Sequence, residues 1–493
     1  MRPPGPKDPA GVLRLLDEGG AHFAAGRLDD AARAYERAER TDPADFRATY
    51  SLAIIDLNRA RPERAIPRLK RVAAKKPDLF EAWHNLGAAN QALARWDEAA
   101  AAFEQAVALR SDALETRRQL ALVLAILGRI DDALAQHAVL ADQLPTRVWA
   151  LTRIALLRPG ALDVVAIDDL ARASADPKLP PDQRIPANFA LGQALEAKGH
   201  PDEAFAAFAE GNRQEQAKAL ARGIDPSALV MEHAATIERV RARFSPEFLA
   251  AQAGKGALEP APIFIVGLPR SGSTLIEQIL GAHPRAQALG ETGALPELLE
   301  TGVAMADAPD WRGLAKDYAR RLRRLGWREG QRPIDKTLEN YLHVGAIALM
   351  FPRATILHAV RDPVDTCLSA WRLLFPEGGE ALTDLAEIGR EFVDYRRMMD
   401  HWAEALPGRV IDIDHEALVA DPEARIRWLV TEACALPWNP ATLAFHEGPG
   451  PVLTASAAQV RQPIFTTSLQ RWRRYEAHLG PLLEALGPYA PKL

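Results

Sequence analysis

The stretch GLPRSGST, Gly267 to Thr274, has the residue types of an anion cradle. Gly267 and Gly272 permit tight turning and close approach of the backbone to a ligand, and the free N–H groups of a following helix would face a negative charge. A nucleoside triphosphatase follows the second glycine with a lysine, and then with the serine or threonine that holds magnesium. Here the order is Gly272-Ser273-Thr274, and Arg270 is the only cation in the loop. A transferring phosphoryl group calls for lysine and magnesium together. A sulfuryl group carries one charge fewer and can dispense with the metal, so the loop Pro269, Arg270, Ser271, Gly272, Ser273 and Thr274 suits a phosphosulfate.

A second candidate lies about ninety residues on, in ATILHAVRDPVDTCLSAW, Ala354 to Trp371. The apolar run Thr355 to Val360 reads as a buried strand that delivers Arg361 at its C-terminal end, where ligands bind in open α/β sheets. Arg361 can grip a phosphate with two parallel N–H groups, and Ser369, on the helix expected next, can add a hydrogen bond.

The two motifs, in this order, resemble the 5′-phosphosulfate and 3′-phosphate loops of sulfotransferases that use 3′-phosphoadenosine 5′-phosphosulfate (PAPS). GAHPRAQALGETGALPEL, Gly281 to Leu298, and PIDKTLEN, Pro333 to Asn340, are similar to the protein-tyrosine sulfotransferase branch. The resemblance implies Glu291, 21 residues after Arg270, as general base. It implies that Lys336 and Arg270 meet the charge on the leaving group, and that Ser456 contacts the sulfonate, with Arg461 adding positive charge nearby. Arg361 and Ser369 would hold the 3′-phosphate. Two positions depart from the family's pattern: Gly290-Glu291 stands where it has two glutamates, and Leu373, with Arg372 beside it, where it has an arginine. His358 reads as a neutral core histidine, His283 as a turn residue and Glu416 as a brace for loops. The patch RWRRYE, Arg471 to Glu476, serves the cofactor or a fold contact.

The elements that position these residues begin with Ile263 to Val266, a fully apolar run expected of a strand buried on both faces of a parallel sheet, and a helix through Leu275 to Leu280. Upstream, Ala31, Ala65, Ala99 and Ala133 recur every 34 residues, as do Leu52, Leu86 and Leu120. That period resembles the tetratricopeptide repeat, helix pairs that stack into a superhelix. A fifth unit, Ala187 to Phe208, keeps the internal spacing (Leu191 to Ala204 equals Leu86 to Ala99) but sits off the beat. Glycine and proline in AGKGALEPAP mark a boundary.

At 493 residues the chain exceeds one ordinary core, and its 25% charged residues and net charge of −5 give no global reason to expect nucleic acid or an anionic membrane. Two cysteines, Cys367 and Cys434, are too few for a disulfide framework. The expectation is a tetratricopeptide-like α-solenoid over 11–215, a helical linker over 216–257 and a P-loop-like α/β sulfotransferase domain with a parallel sheet over 258–493. PAPS is the expected donor, without metal, and the chain is expected in the cytoplasm. A protein or peptide tyrosine that the repeat groove could recruit is the expected acceptor, with a homodimer as one option and neither nucleic acid nor membrane as partner. Two alternatives stay open: sulfation of a carbohydrate or small metabolite, and a non-catalytic repeat scaffold with a nucleotide-binding domain.

Overall fold

The 34-residue beat becomes four helix pairs in the computed structural model, which describes residues 8–299, 309–375, 378–448, 460–461, 464 and 469–491. The described chain forms two compact units that divide between Ala150 and Leu151. The first holds α1 (Pro9–Ala24), α2 (Leu28–Thr41), α3 (Phe46–Asn58), α4 (Pro62–Lys75), α5 (Phe80–Ala92), α6 (Trp96–Leu109), α7 (Leu114–Ile126) and α8 (Ile130–Ala141). Ala31, Ala65, Ala99 and Ala133 occupy the same place in α2, α4, α6 and α8 and are wholly buried. Small residues on the first helix of a pair let the second come close. A Cβ on Gly19 would lie 2.5 Å from the Tyr35 ring, and one on Gly87 equally close to Phe103. The turn inside each pair repeats as well: Gly26, Ala60, Ala94 and Gly128 have φ of 72°, 52°, 53° and 77°. A left-handed residue there ends one helix and reverses the chain, at a cost of about 1–2 kcal/mol where it is alanine.

Helix α9 (Arg147–Leu157) spans the division, and the second unit continues with α10 (Val164–Ala175), α11 (Pro181–Ala197), α12 (Pro201–Ala221), α13 (Pro226–Arg243) and α14 (Pro246–Gln252). Helices α11 and α12 are the off-beat pair, with the same internal geometry: a Cβ on Gly192 would meet the Phe208 ring at 2.7 Å. The boundaries read from sequence at 215 and 258 both fall inside this unit. The reason is apolar packing. Phe208 and Phe189 share a core with Trp371, Trp472 and Tyr475, while Ile237, Phe244 and Leu249 of α13, its C-cap and α14 enter the core beneath the sheet.

That sheet has strands β1 (Ile263–Gly267), β2 (Ala286–Ala288), β3 (Arg332–Asp335), β4 (Thr355–Val360) and β5 (Val410–Asp414), all parallel, in the order β2-β3-β1-β4-β5. Alternate residues of β1 face opposite sides. Ile263 and Ile265 pack against α15 (Ser273–Gly281), whereas Phe264 and Val266 lie in the core formed with helices further along the chain. These are α16 (Ala294–Leu299), α17 (Trp311–Arg324), α18 (Val344–Met350) and α20 (Leu385–Ala405); α19 (Pro363–Trp371) joins the third core, which holds the helical pair. Burial on both faces explains the uninterrupted apolar run. After β1 the chain visits β2 and β3 on one side and β4 and β5 on the other, so the loop after β1 lies where the strand order reverses, the ligand position of open α/β sheets.

Candidate functional site

Because the strands are parallel, their C-terminal ends share one edge. Arg270 follows β1, Glu291 follows β2, Lys336 follows β3, and Arg361 follows β4. At the anion end, Arg270 sits in left-handed backbone with φ of 70°. Its Nε donates to Ser369 Oγ at 3.0 Å, and its carbonyl accepts from Arg361 Nη1 at 3.0 Å. The two motifs read separately from sequence thus lie in direct contact. Arg361 stands 3.8 Å from Asp365, while Asp362 caps α19 by accepting from Asp365 N–H. Burial, reinforced by Arg361, Arg372 and Arg471, pulls the pKa of Arg270 down to about 10. A bound anion would relieve that field.

The cradle itself is built by glycine. Gly272 caps α15 with φ of 96°, and a Cβ there would lie 2.5 Å from His415 Nδ1. His415 follows β5 and went unsingled in the sequence. Its Nδ1 is buried without a hydrogen-bond partner among the described residues, and burial with Arg361 and Arg270 holds the imidazole neutral, at a pKa of about 4. Ser271 Oγ donates to Leu268 O at 2.7 Å and pins the loop to itself. Ser273 and Thr274 open α15, both buried, and Pro269 lies in the turn before Arg270.

At the other end of the site, the Lys336 side chain is 1% exposed and donates from Nζ to Glu291 Oε1 at 2.5 Å, while Glu291 is 57% exposed. An ammonium buried this deeply needs a partner. The backbone around the pair is fixed on both sides. Gly290 N–H donates to Glu277 Oε1 at 2.9 Å, Lys336 N–H donates to Gly290 O at 2.9 Å, and Gly293 N–H donates to Thr337 Oγ1 at 3.1 Å. Asp335, the neighbour of Lys336, is wholly buried and accepts from Tyr318 Oη, Thr292 Oγ1 and Thr337 Oγ1, each at 2.7 Å. It holds the Glu291 turn to the end of β3 and leaves the lysine to Glu291.

Residues 262–440 match the model described as sulfotransferase family, and residues 22–89 and 80–112 match tetratricopeptide repeat models. This chain carries a sulfotransferase domain behind tetratricopeptide repeats. An uncharacterized protein of Aquifex aeolicus is 30% identical over 395 residues, 75% of this chain, and the chain spans about half of that relative's length (49%). A putative protein-tyrosine sulfotransferase of Caenorhabditis briggsae is 26% identical over 47% of this chain and 86% of its own. The protein-tyrosine sulfotransferase of Drosophila melanogaster is 25% identical over 46% of this chain and 52% of its own. Among solved structures, that of MamA protein is similar at 23% identity and a TM-score of 0.28, over 42% of this chain and 94% of that one.

Within the sulfotransferase domain, several residues weighed in the sequence take structural places. His358 is buried in β4, with Nδ1 2.7 Å from Asp412 Oδ1. His283 Nδ1 accepts from Arg285 N–H at 3.1 Å in a turn, and Glu416 Oε1 accepts from Asp362 N–H at 3.1 Å, bracing the start of α19. In RWRRYE, Trp472 and Tyr475 are core residues. Both cysteines are buried and free. Ser456 lies outside the described residues. Arg461 is partly buried, which lowers its pKa. Among the described residues no three His, Cys, Asp or Glu side chains stand together as a metal site, and no helix is long and apolar enough to cross a membrane.

Proposed function

We propose that the second unit transfers the sulfuryl group of PAPS to an acceptor hydroxyl, with tyrosine of a protein or peptide as the acceptor. The observation that carries this reading is the convergence of Arg270, Arg361 and Ser369 around the glycine cradle, with the Glu291–Lys336 pair on the same sheet edge. The nucleotide's 5′-phosphosulfate would lie against residues 269–274 and its 3′-phosphate against Arg361 and Ser369, with Arg461 adding charge and Ser456 reaching the sulfonate. The positive field at Arg270 fits a donor of several negative charges, and Gly272, closed off by His415, leaves backbone N–H groups as the contact.

In this reading Glu291 takes the hydroxyl proton as the new O–S bond forms and the bond from sulfur to the phosphate oxygen breaks; the electron pair leaves with adenosine 3′,5′-bisphosphate. Lys336 and Arg270 meet the charge that develops on that oxygen. Without ligand, Lys336 and Glu291 hold each other in place. Donor binding draws the ammonium to the leaving oxygen and leaves the carboxylate free as base. The repeat unit would recruit the acceptor chain, as solenoids of this kind present extended concave surfaces.

The test is incubation with 35S-labelled PAPS and peptides that carry tyrosine or phenylalanine at one position. Label on the tyrosine peptide alone supports the acceptor class; label on a sugar or small metabolite would redirect it. Glu291→Gln, which keeps a hydrogen-bond acceptor for buried Lys336, should lower turnover at least about a hundredfold with nucleotide affinity nearly intact. Collapse of affinity would make the glutamate structural.

A further inference from the structure

Glu196 lies on α11, 176 residues before one of its partners and 275 before the other. Its carboxylate is 3% exposed and accepts from Arg372 Nη2, from Arg471 Nε at 3.0 Å and from Arg471 Nη2 at 2.8 Å. A bidentate bond to one guanidinium and a further bond to a second fix three side chains in one geometry. Arg372 is the more confined arginine. It is 12% exposed, and its guanidinium stands 5.2 Å from the ring centre of Phe208 and 5.3 Å from that of Tyr475.

This cluster adjoins the anion site. Arg372 stands three residues after Ser369 at the end of α19, on the same helical face, and Ser369 Oγ is bonded to Arg270. Arg372 and Arg471 are, with Arg361, the charges that depress Arg270. Arg372 and Arg471 thus share the one carboxylate of Glu196, while Arg361 stands by Asp365. Arg372 Nε is buried without a hydrogen-bond partner among the described residues, so one donor of the fork is left over after Glu196 is satisfied. A buried unused donor beside an excess of positive charge is the environment of a phosphate.

We propose that Glu196 is a positioning residue of the nucleotide site: by holding Arg372 and Arg471 beside Ser369, the helical pair α11–α12 shapes the pocket for the nucleotide's 3′-phosphate. The inference rests on the donor-site reading above. It makes the pair part of the enzyme's binding machinery, and it places one wall of a nucleotide site on a repeat-like element.

The test is a double-mutant cycle read by calorimetric titration with adenosine 3′,5′-bisphosphate and with 5′-AMP, on the full chain. Glu196→Gln, Arg372→Ala and the double variant are compared, with circular dichroism as the check on folding. Glu196→Gln should weaken the bisphosphate about tenfold and 5′-AMP less than threefold, and in the Arg372→Ala background, where Arg471 alone is left for it to hold, its effect on the bisphosphate should shrink to about threefold or less. Arg372→Lys, which keeps the charge and loses the fork, replaces Arg372→Ala should the latter unfold. Unchanged bisphosphate affinity in Glu196→Gln, equal losses for the two nucleotides, or the same loss in both backgrounds would overturn the positioning role. A wild-type chain that binds neither nucleotide would instead overturn the donor-site reading beneath it.

Discussion

Helix pairs α5–α6 and α11–α12 are built on one internal plan and put to different uses. In each a glycine of the first helix faces a phenylalanine of the second, Gly87 against Phe103 and Gly192 against Phe208, with no room for a Cβ. In α5–α6 the outward faces meet the equivalent helices of neighbouring pairs, through Ala89, Ala102, Leu86 and Trp83 and through bonds such as Asn85 to Tyr50 and Gln91 to Gln119. In α11–α12 they carry aromatic and polar groups: Phe205 stacks on Trp371 and His478 at 4.8 and 4.4 Å, Asn212 donates to Trp371 O at 2.9 Å, and Glu196 holds two arginines. The same helical hairpin stacks on its like when its faces repeat those of the next pair. It joins the core of the sheet-bearing unit when they carry Phe205, Asn212 and Glu196.

The largest expected effect comes from emptying the two matched centres. Phe103→Ala and Phe208→Ala remove wholly buried rings and should each cost about 3–5 kcal/mol. They differ in what is lost: Phe103→Ala should lower hydrogen-exchange protection in residues 8–150 and leave adenosine 3′,5′-bisphosphate affinity within twofold. Phe208→Ala should lower protection in the second unit and weaken binding at least tenfold. Equal effects on binding would break the comparison.

A smaller effect separates the units by pH. Glu391 on α20 has a buried Oε2 without a hydrogen-bond partner among the described residues, and burial, with help from Glu339 and Asp394, pushes its pKa up to about 7. A carboxyl raised above its unfolded value contributes stability that is full below about pH 4.5 and is lost as pH rises through about 7. Glu391→Gln removes that loss. Urea denaturation should show the second unit stabilised by about 2–3 kcal/mol at pH 8 and little changed at pH 5, with the repeat unit unmoved at both.

Adding one methyl probes the shared plan. Gly87→Ala and Gly192→Ala force a Cβ into the Phe103 or Phe208 ring and should each cost about 1–3 kcal/mol in thermal unfolding, each in its own unit. The smallest effect is a gain. Ala60→Gly and Ala94→Gly relieve left-handed alanines in the turns of the repeat unit and should each stabilise it by about 0.5–1 kcal/mol, the relief being offset in part by glycine's unfolded-chain entropy.

The geometry of the glycine cradle was legible because its signals are local. Two glycines around Arg270, an apolar strand before each motif and a helix after it are fixed by a few consecutive residues, and the parallel sheet does the rest by gathering strand ends on one edge. The beat of 34 was legible for the same reason, and so was the fifth pair through Leu191 and Ala204. Its destination was not. Glu196 meets Arg471 across 275 residues, and no periodicity or motif encodes such a pairing. The extent of the second unit was hidden likewise: α13 and α14 read as a helical linker, whereas Ile237, Phe244 and Leu249 pack into the core beneath the sheet and Ser227 and His233 bond to Glu387 and Tyr341. Lys336 beside Asp335 would read alone as a surface ion pair, yet Tyr318, Thr292 and Thr337 satisfy Asp335 and the lysine turns inward to Glu291.

The account stands most directly on which anion the cradle prefers. Calorimetric titration of the wild-type chain and of Arg361→Ala with adenosine 3′,5′-bisphosphate, 5′-AMP and magnesium-ATP reads this in one experiment. Micromolar binding of the bisphosphate, at least about tenfold tighter than 5′-AMP and lost in Arg361→Ala, is the expected result. A preference for magnesium-ATP, or bisphosphate binding indifferent to Arg361, would contradict it.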